Sequence, residues 1–384
     1  MQILKMNLII KKYTESNLNL NDFHENYGYD IQISFDNNVN LLPVLPNLII
    51  KLSLIKKFNQ PVNNLPNSIT HLKFGVMFNQ LVDNLPNSIT HLKFGQDFNQ
   101  NINNLPNSII NLELGTNFNK TVDNLPNSIT HLKFGVMFNQ PVDNLPNLIT
   151  HLKFEQDFNQ NINNLPNSII NLELGIKFNQ QVDNLPNSIT HLKFEQDFNQ
   201  NINNLPNSII YLELGTNFDK TVDNLPNSIT HLKFGYMFNQ TVDNLPYSIT
   251  HLKFGFMFNQ LVDNLPNLIK YLDFGNNFNN NINNLPNSIE YLGLGNEYKK
   301  NIENLPNSIK YLKFGHYYNN SLLHIPVSIK KLFFGFINKK IILPDDINID
   351  IIYTLNYQDK FEFDEKYRYK IKNTGCDDFE KMFL

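Results

Sequence analysis

The fold is decided by one stretch of sequence, Leu65-Pro66-Asn67-Ser68-Ile69-Thr70-His71-Leu72-Lys73-Phe74-Gly75-Val76-Met77-Phe78-Asn79-Gln80. The same pattern returns every 20 residues, without insertion, from about Leu45 to Ile337. Fifteen of the 19 prolines keep this spacing, from Pro46 to Pro326. A fixed period of this length indicates a stack of similar coils, so we predict a repeat protein rather than two ordinary domains.

Each repeat contains a strand half. Apolar residues stand at six positions of the unit: Leu65, Ile69, Leu72, Phe74, Phe78 and Val82. Ile69, Leu72 and Phe74 follow the L-x-x-L-x-L pattern of leucine-rich repeats. Alternation with a period of two directs Leu72 and Phe74 inward and places His71, Lys73 and Gly75 outward.

The other half of each repeat is predicted to be irregular, because a proline forces an extended residue before it and no helical pattern of about ten residues fits. The predicted fold class is therefore a β-rich solenoid. It is a leucine-rich-repeat-like, right-handed coil with a long parallel β-sheet on one face and irregular turns on the other. Stacking should align Phe78 and its equivalents in an aromatic column, and Asn67, Asn79, Asn84 and their equivalents in hydrogen-bonded ladders.

The domain organisation follows from where the pattern begins and ends. Residues 41–340 are predicted to form the solenoid of about 15 coils, residues 1–40 an N-terminal cap, and residues 341–384 a C-terminal cap and tail. Alternation in Ile31–Phe35 indicates a strand in the first cap. Alternation in 360–363 and 367–371 indicates a hairpin in the second.

Two rows of outward residues are the candidate functional surface, because they differ from coil to coil. Seven of the ten histidines lie in the row of His71, and acidic residues are interleaved among the lysines in the row of Lys73. The pattern repeats in blocks of three coils, since residues 69–128 nearly duplicate residues 129–188. The predicted partner-binding residues are His71, Lys73, His91, Lys93, Glu113, His131, Lys133, His151, Lys153, Glu173, His191, Lys193, Tyr211, Glu213, His231, Lys233, His251, Lys253, Tyr271, Tyr291 and Tyr311.

Other interpretations of these rows remain open. Pairs such as Lys93/Glu113 and Lys193/Glu213 are expected across neighbouring strands, so the face could simply be solvated and self-neutralising. No third ligand recurs beside the histidine pairs and ammonium groups repel cations, so no metal and no cofactor is predicted. The histidines should become charged below about pH 6.5, with loss of stability or binding. Asp83 and its equivalents are assigned to turn chemistry rather than to calcium.

Composition narrows the function classes. A net charge of −4, one arginine and no sustained basic stripe argue against nucleic acid. No apolar run is long enough to span a bilayer, and the N-terminus does not resemble a secretory signal, so no membrane association is expected. The single cysteine, Cys376, fits a reducing, cytoplasmic setting and has no Cys-His-Asp arrangement around it. No catalytic residues stand apart from the repeat, so we do not expect an enzyme.

The repeat resembles the FNIP repeat, which is named for a Phe-Asn-x-Pro signature. That signature stands here as Phe58-Asn59-Gln60-Pro61 and Phe138-Asn139-Gln140-Pro141, and other coils replace the proline. The family is known mainly from social amoebae and from giant viruses of amoebae, so a viral copy would act in the host cytoplasm. The resemblance implies protein interaction and no catalytic residues.

The leading hypothesis is thus a non-catalytic protein-interaction or scaffolding repeat protein that uses its strand face. Its protein partner and its oligomeric state are left open. The alternative is a substrate adaptor of a ubiquitin ligase, because some relatives carry an F-box ahead of the repeats. Residues 1–40 show no convincing F-box. A helical bundle in that segment would favour the adaptor, and a strand-rich cap would oppose it.

Overall fold

The computed structural model describes residues 8–14, 18–24, 27–35, 42–335, 342–354 and 371–373. These residues contain 19 β-strands and one 3-10 helix, Leu20–Asp22, and every strand pairing within them that has a defined register is parallel. The predicted β-rich solenoid with a parallel sheet is confirmed. The chain divides into two compact units: the first is Met1–Gln180 with Asn184–Ile189, and the second is Gln181–Asp183 with Thr190–Leu384.

The first unit holds nine strands, each paired with the next along the chain. They are β1 (Leu8–Thr14), β2 (Gly28–Phe35), β3 (Ile49–Lys56), β4 (His71–Phe74), β5 (His91–Lys93), β6 (Asn111–Glu113), β7 (His131–Lys133), β8 (His151–Lys153) and β9 (Asn171–Leu174). From β3 onward each residue lies beside the residue 20 positions further on, as with Leu72 and Leu92. The sequence period is therefore the register of the sheet.

The second unit repeats this arrangement with ten strands. They are β10 (His191–Phe194), β11 (Tyr211–Glu213), β12 (His231–Lys233), β13 (His251–Lys253), β14 (Tyr271–Asp273), β15 (Tyr291–Gly293), β16 (Tyr311–Phe314), β17 (Lys331–Phe334), β18 (Ile351–Thr354) and β19 (Ile371–Asn373). The register of 20 persists from β10 to β18, beyond the last clear repeat in the sequence, and becomes 19 between β18 and β19.

Each coil buries its six apolar side chains, as the repeat pattern predicts. Leu72 and Phe74 point into the core from the strand, and Phe78 and Val82 reach it from the return half. A tight turn starts at the proline of the Leu-Pro pair in each coil: the Ile69 backbone N–H donates to the Pro66 carbonyl oxygen over 3.2 Å. The return half consists of such turns and bends, which confirms the irregular limb.

The aromatic column is present within both units. In the first unit the ring centroids of Phe58 and Phe78 lie 6.0 Å apart, and each later step is close to that spacing. In the second unit the column ends in Tyr298 and Tyr318, whose centroids are 6.2 Å apart. Phe74 stacks on Phe78 at 3.7 Å inside one coil. The aromatic residues of this column therefore belong to the core and are not available to a ligand.

Two of the three predicted asparagine ladders are present, and they differ in their donors and acceptors. The Asn79 backbone N–H donates to Asn59 Oδ1 over 2.8 Å, and this bond recurs from coil to coil. Asn104, an equivalent of Asn84, instead donates from Nδ2 to Asp83 Oδ1 of the preceding coil. Asn67 and its equivalents are exposed. A third ladder was not anticipated: Ser88 Oγ donates to the Ile69 carbonyl oxygen over 2.7 Å.

The outward placement of Gly75 and its equivalents is wrong. Gly75 is buried, and none of the glycines that the structure describes has a positive φ, so backbone freedom is not the reason for the residue. A Cβ at Gly95 would lie 1.9 Å from the Gly75 carbonyl oxygen. The glycine column therefore lets successive coils approach closely where the strand ends. Glu155 and Glu195 stand in this column, so the approach is not required at every coil.

The described part of residues 1–40 consists of strands and the 3-10 helix. β1 and β2 pair in parallel with a register of 20, so the coil geometry extends into the segment predicted as a cap. The segment shows no helical bundle in its described part, which gives the adaptor alternative no support there. The predicted hairpin at 360–371 and Cys376 lie outside the described residues, except that residue 371 begins β19.

Candidate functional site on the strand face

Within each unit, the two outward rows lie in register on the face of that unit's sheet opposite the core. We call them the 71 row, which contains Lys51, His71 and every twentieth residue to Ile351, and the 73 row, which contains Ser53, Lys73 and every twentieth residue to Tyr353. Along β4–β13 their side chains are half-buried or exposed, while the leucine between them is buried. The strands therefore present two parallel lines of polar side chains.

Three pairs of histidines stack in the 71 row. The ring centroids of His71 and His91 are 4.0 Å apart, with the planes nearly parallel. The pairs His131/His151 and His231/His251 each have a separation of 4.2 Å. His191 faces Tyr211 instead, at 5.9 Å. The duplicated blocks of sequence thus become repeated pairs of imidazoles.

A threonine sets the hydrogen bonding of each of these imidazoles. Thr70 Oγ1 lies 2.8 Å from His71 Nδ1 and 3.2 Å from the Ile50 carbonyl oxygen. A hydroxyl has one proton and a carbonyl only accepts, so the hydroxyl donates to the carbonyl and accepts from Nδ1–H. This assigns the proton of the neutral ring to Nδ1 and leaves Nε2 as an outward acceptor.

The environment of His71, His231 and His251 opposes their protonation. Burial, then the neighbouring His91 and the Lys51 ammonium, lower the pKa of His71 below its ordinary value of 6.5. Burial, then the charge of His191 two coils away, lowers the pKa of His231, and burial, then the neighbouring His231, lowers the pKa of His251. These rings are therefore neutral at pH 7, and a proton added to one of a pair repels a proton on the other.

The 73 row is a chain of exposed ion pairs. The predicted pair Lys93/Glu113 is present. Lys153 Nζ lies 2.6 Å from Glu173 Oε2, and Lys133 Nζ lies 2.9 Å from Glu155 Oε1. In the second unit Lys193 pairs with Glu195 at 2.9 Å, and Glu213 pairs with Lys233 at 2.8 Å. Each pair is solvated, so it contributes about 0–1 kcal/mol to stability.

Two of the predicted partner-binding tyrosines are buried, which corrects their assignment to an accessible face. Tyr271 is 4% exposed and Tyr291 is 1% exposed. They pack in one cluster with Phe333 and Tyr353, which β17 and β18 place in the 73 row. Apolar residues at polar positions of the row thus turn this end of the face into core. Tyr311, beside the cluster, is half-buried.

The seven aspartates in the turns are held by asparagines. Each accepts a hydrogen bond from the side-chain amide of the next coil, at 2.9–3.1 Å: Asp83, Asp123, Asp143, Asp183, Asp223, Asp243 and Asp263. Turn chemistry therefore accounts for them. Within the described residues no cluster of three or more His, Cys, Asp or Glu side chains suits a metal ion. The helical content of these same residues amounts to three residues, too few to cross a bilayer.

Two grooves run across the strands of the first unit. One spans β2–β6, with a volume of about 280 Å³. The other spans β6–β9, with a volume of about 260 Å³. Each has one stacked histidine pair at its centre. Sequence reasoning began the rows at His71 and missed Asp30, Lys51 and Ser53 in the first groove, although the 20-residue spacing places the last two in line.

Comparisons with known proteins agree with this architecture. The FNIP Repeat family model matches in twelve segments, from residue 58 to residue 336. The chain is similar to the crystal structure of CroV588, described as a novel circular LRR protein and coming from a giant virus, with 38% identity and a TM-score of 0.71. The match covers 88% of this chain and 62% of that one, so this chain spans less than two thirds of CroV588.

Two bacterial proteins are more distantly similar. The internalin InlF of Listeria monocytogenes has 14% identity, a TM-score of 0.41, and coverage of 65% of this chain and 75% of its own. YopM of Yersinia enterocolitica has 15% identity, a TM-score of 0.44, and coverage of 91% and 87%. These values have no bearing on the function of this chain. The comparison with curated proteins found no significant match.

Proposed function

The chain belongs to the FNIP-repeat family, and from this premise we propose that it is a non-catalytic protein that binds a protein partner through its strand face. The contact surface is the accessible part of the 71 and 73 rows. It runs over β3–β9 in the first unit and over β10–β13 in the second. The partner itself is unidentified.

One observation carries the proposal: the residues that differ between coils are the ones that packing does not dictate. The core positions hold the same residue types in coil after coil, whereas the 71 row changes among His, Asn and Tyr from His71 to Tyr311. The 73 row changes between Lys and Glu from Lys73 to Lys253. Stacked imidazoles, tyrosines and ordered charges on a regular sheet suit protein recognition, in which shape and charge complementarity determine the partner.

The proposal that the chain is non-catalytic rests on the hydrogen bonds and ion pairs that its titratable groups make. The seven row histidines each bond to the preceding threonine, and the charged groups are largely paired with one another. Catalysis would need a nucleophile or an acid–base pair converging on one point. Along the described part of the 71 and 73 rows, the same polar side chains return with each three-coil block, and they do not converge on one point.

The proposal includes a cytoplasmic location, which is the host cytoplasm if the gene is viral. A single cysteine in the whole chain supports a reducing compartment. Imaging of the chain fused to a fluorescent protein at its C-terminus, in amoebal cells, tests this part alone. Accumulation in the endoplasmic reticulum or at the cell surface would contradict it.

Affinity capture from host cells tests the binding surface. The charge-swap variant Lys153→Glu with Glu173→Lys keeps an ion pair within the 73 row while reversing the charge pattern it displays. We expect this variant to lose the partners that the wild-type chain captures. The matched control is Asp143→Asn in a turn, a position where Asn163 stands naturally in the next coil. Capture that survives the swap and fails in the control would place the contact on the turn face.

A further inference from the structure

We propose that the groove over β2–β6 is the part of the strand face that takes an acidic peptide segment of the partner. This inference rests on the proposed function and narrows it to one groove and one class of ligand. The duplicated sequence supplies an internal comparison, because the groove over β6–β9 has the same framework of residues and a different charge.

The two central coils of each groove carry the same outward residues. His71, Lys73, His91 and Lys93 in the first groove correspond to His131, Lys133, His151 and Lys153 in the second, 60 positions later. Both grooves end at a glutamate that pairs with the last lysine, Glu113 or Glu173. Any difference in what they bind must come from the residues around this common centre.

Three differences make the first groove more positive, and one additional carboxylate, Asp30, offsets part of this effect. Lys51 stands where the second groove has Asn111, and Ser53 stands where it has Glu113. Gly95 replaces Glu155. Three lysines and two carboxylates line the first groove, whereas two lysines face three carboxylates at the second when Glu155 is included. The first groove therefore attracts an anion and the second does not.

Lys73 is the group that an anion would meet. Its equivalent Lys133 is held by Glu155 at 2.9 Å. Because Gly95 takes the place of that glutamate, Lys73 makes no ion pair or side-chain hydrogen bond within the part of the chain that the structure describes. The Lys73 side chain is exposed. A carboxylate bound there would complete the pairing that the neighbouring coils already have.

The rest of the groove favours a peptide over a polyanion. Lys51 adds a second ammonium in the neighbouring row, and His71 and His91 offer Nε2 atoms that accept backbone N–H groups. Asp30 and Glu113 stand at the two ends. These carboxylates would repel a nucleic acid, with its continuous phosphates, but not a segment whose acidic residues are central and whose ends are basic.

The dimensions agree with a short extended segment. The groove crosses five strands, from β2 to β6. Four spacings of about 4.8 Å give a length of roughly 19 Å. An extended peptide rises about 3.3 Å per residue, so roughly six residues span the groove. One or two acidic side chains at the middle of such a segment reach the neighbourhood of Lys73 and Lys51.

Fluorescence anisotropy with a defined probe tests the proposal. The probe is a labelled peptide with the sequence Lys-Ser-Asp-Glu-Asp-Ser-Lys, titrated with the full chain at low and at physiological salt. We expect binding that weakens with salt, and at least a tenfold loss of affinity in Lys73→Gln. Lys133→Gln, the matched control in the other groove, should bind as the wild type does. A phosphorylated-serine peptide and a single-stranded oligonucleotide serve as competitors, and we expect neither to displace the probe more strongly than unlabelled peptide.

A gain-of-binding variant completes the test. Glu155→Gly restores the residue common to the glycine column and frees Lys133, so we expect it to add a second, weaker site for the probe. Absence of binding to the wild-type chain overturns the proposal. Equal losses in Lys73→Gln and Lys133→Gln, or stronger competition by the oligonucleotide, overturn it too. If partner capture still depends on the Lys153/Glu173 charge swap after such a result, the strand face remains the binding surface and only the assignment of this groove fails.

Discussion

At the scale of single residues, most positions in a coil have a neighbour 20 residues away that performs the same task. The serine ladder illustrates this, because each hydroxyl donates to a backbone carbonyl oxygen of the preceding coil, as Ser128 does to Ile109 and Ser168 to Ile149. Leu148 interrupts the ladder with an apolar side chain that is 57% exposed. Equivalent positions in different coils thus hold different residues, and these natural differences predict how a new substitution changes the stability of the chain.

Leu148→Ser is expected to stabilise the chain. The new hydroxyl would donate to the Ile129 carbonyl oxygen, the bond that the neighbouring coils make, at a net gain of about 1 kcal/mol. Chemical denaturation measures the change. Leu148→Ala separates the two effects, because it removes the exposed side chain without adding a donor. If the serine and alanine variants are equally stable, the hydroxyl contributes nothing.

Gly235→Ala is expected to destabilise the chain by about 1–3 kcal/mol, as overpacking does. Its Cβ would lie 1.9 Å from the Gly215 carbonyl oxygen. Gly335→Ala is the control, since its nearest neighbour is the His316 side chain at 3.1 Å, which can move. Thermal unfolding of both variants provides the comparison. An equal loss in the two would mean that close approach of coils is not what selects glycine.

At the scale of structural elements, ladders of hydrogen bonds join each coil to the next. What such a ladder requires is an accepting oxygen at the right place, and more than one residue type can supply it. Asn79 and its equivalents accept a backbone N–H from the next coil, and Asp219 performs the same task for Asn239 at 2.9 Å. The stacked histidines form a comparable element, in which each ring is fixed by a threonine and faces its neighbour across the sheet.

Asn119→Ala is expected to cost about 0.5–1.5 kcal/mol of unfolding free energy, because the Asn139 backbone N–H loses its acceptor. Asn119→Asp should cost less, since the carboxylate keeps the acceptor as Asp219 does. Urea denaturation of the two variants gives the difference. A loss in the aspartate variant as large as that in the alanine variant would contradict the acceptor role.

Acidification is expected to lower the melting temperature. The pKa values of His71, His231 and His251 are lowered in the folded chain, so the unfolded state takes up more protons as the pH falls through 6.5. The stability contributed by the neutral pairs is complete above that pH and is lost as the pH falls towards their folded pKa values. Calorimetry at pH about 7.5 and about 5.5 measures this shift.

A double variant, His231→Asn with His251→Asn, supplies the control for the pH experiment. Asparagine stands naturally in the same row at Asn111 and Asn171, so the fold should persist. The variant should lose less stability on acidification than the wild type. A wild-type melting temperature that stays constant over this range would count against any role of the histidine pairs.

The elements that recur were predictable from sequence, and the exceptions were not. Parallel pairing, the aromatic column and the Asn79 ladder follow from spacing alone. The burial of Tyr291 does not, because it depends on Phe333, an aromatic residue at a position where most coils have a charged one, and on Tyr353, which lies beyond the last clear repeat. Gly75 was placed outward because alternation was extended past the end of the strand. The Thr70–His71 bond needs side-chain geometry that spacing does not supply.

At the scale of the whole molecule, each unit is a stack in which a coil contacts the coils before and after it. Stability in such an arrangement is approximately a sum of coil and interface contributions. In the second unit the accessible face covers fewer strands than the sheet contains. The cluster of Tyr271, Tyr291, Phe333 and Tyr353 buries the outward tyrosines of β14 and β15. The binding proposals therefore concern the coils before this cluster.

Removal of one whole period is expected to leave a folded chain. Excision of residues 129–148 joins Ser128 to Ile149, which restores the Ser-Ile sequence of the repeat and keeps every later register. Circular dichroism should show a β-rich spectrum and a cooperative melt. Excision of residues 139–148 alone joins unlike halves of two coils and should abolish the cooperative transition. A folded product from the shorter excision would contradict the coil as the structural unit.

The in-register stacking gives each unit the character of a one-dimensional lattice, with one coil as its cell. Leu148 and Glu155 are then point defects, and each disturbs only the cells that adjoin it. Strain in such a lattice does not spread, so the effects of substitutions separated by two or more coils should be additive. The residues of the 71 and 73 rows can therefore change in one coil while the packing of the other coils stays as it is.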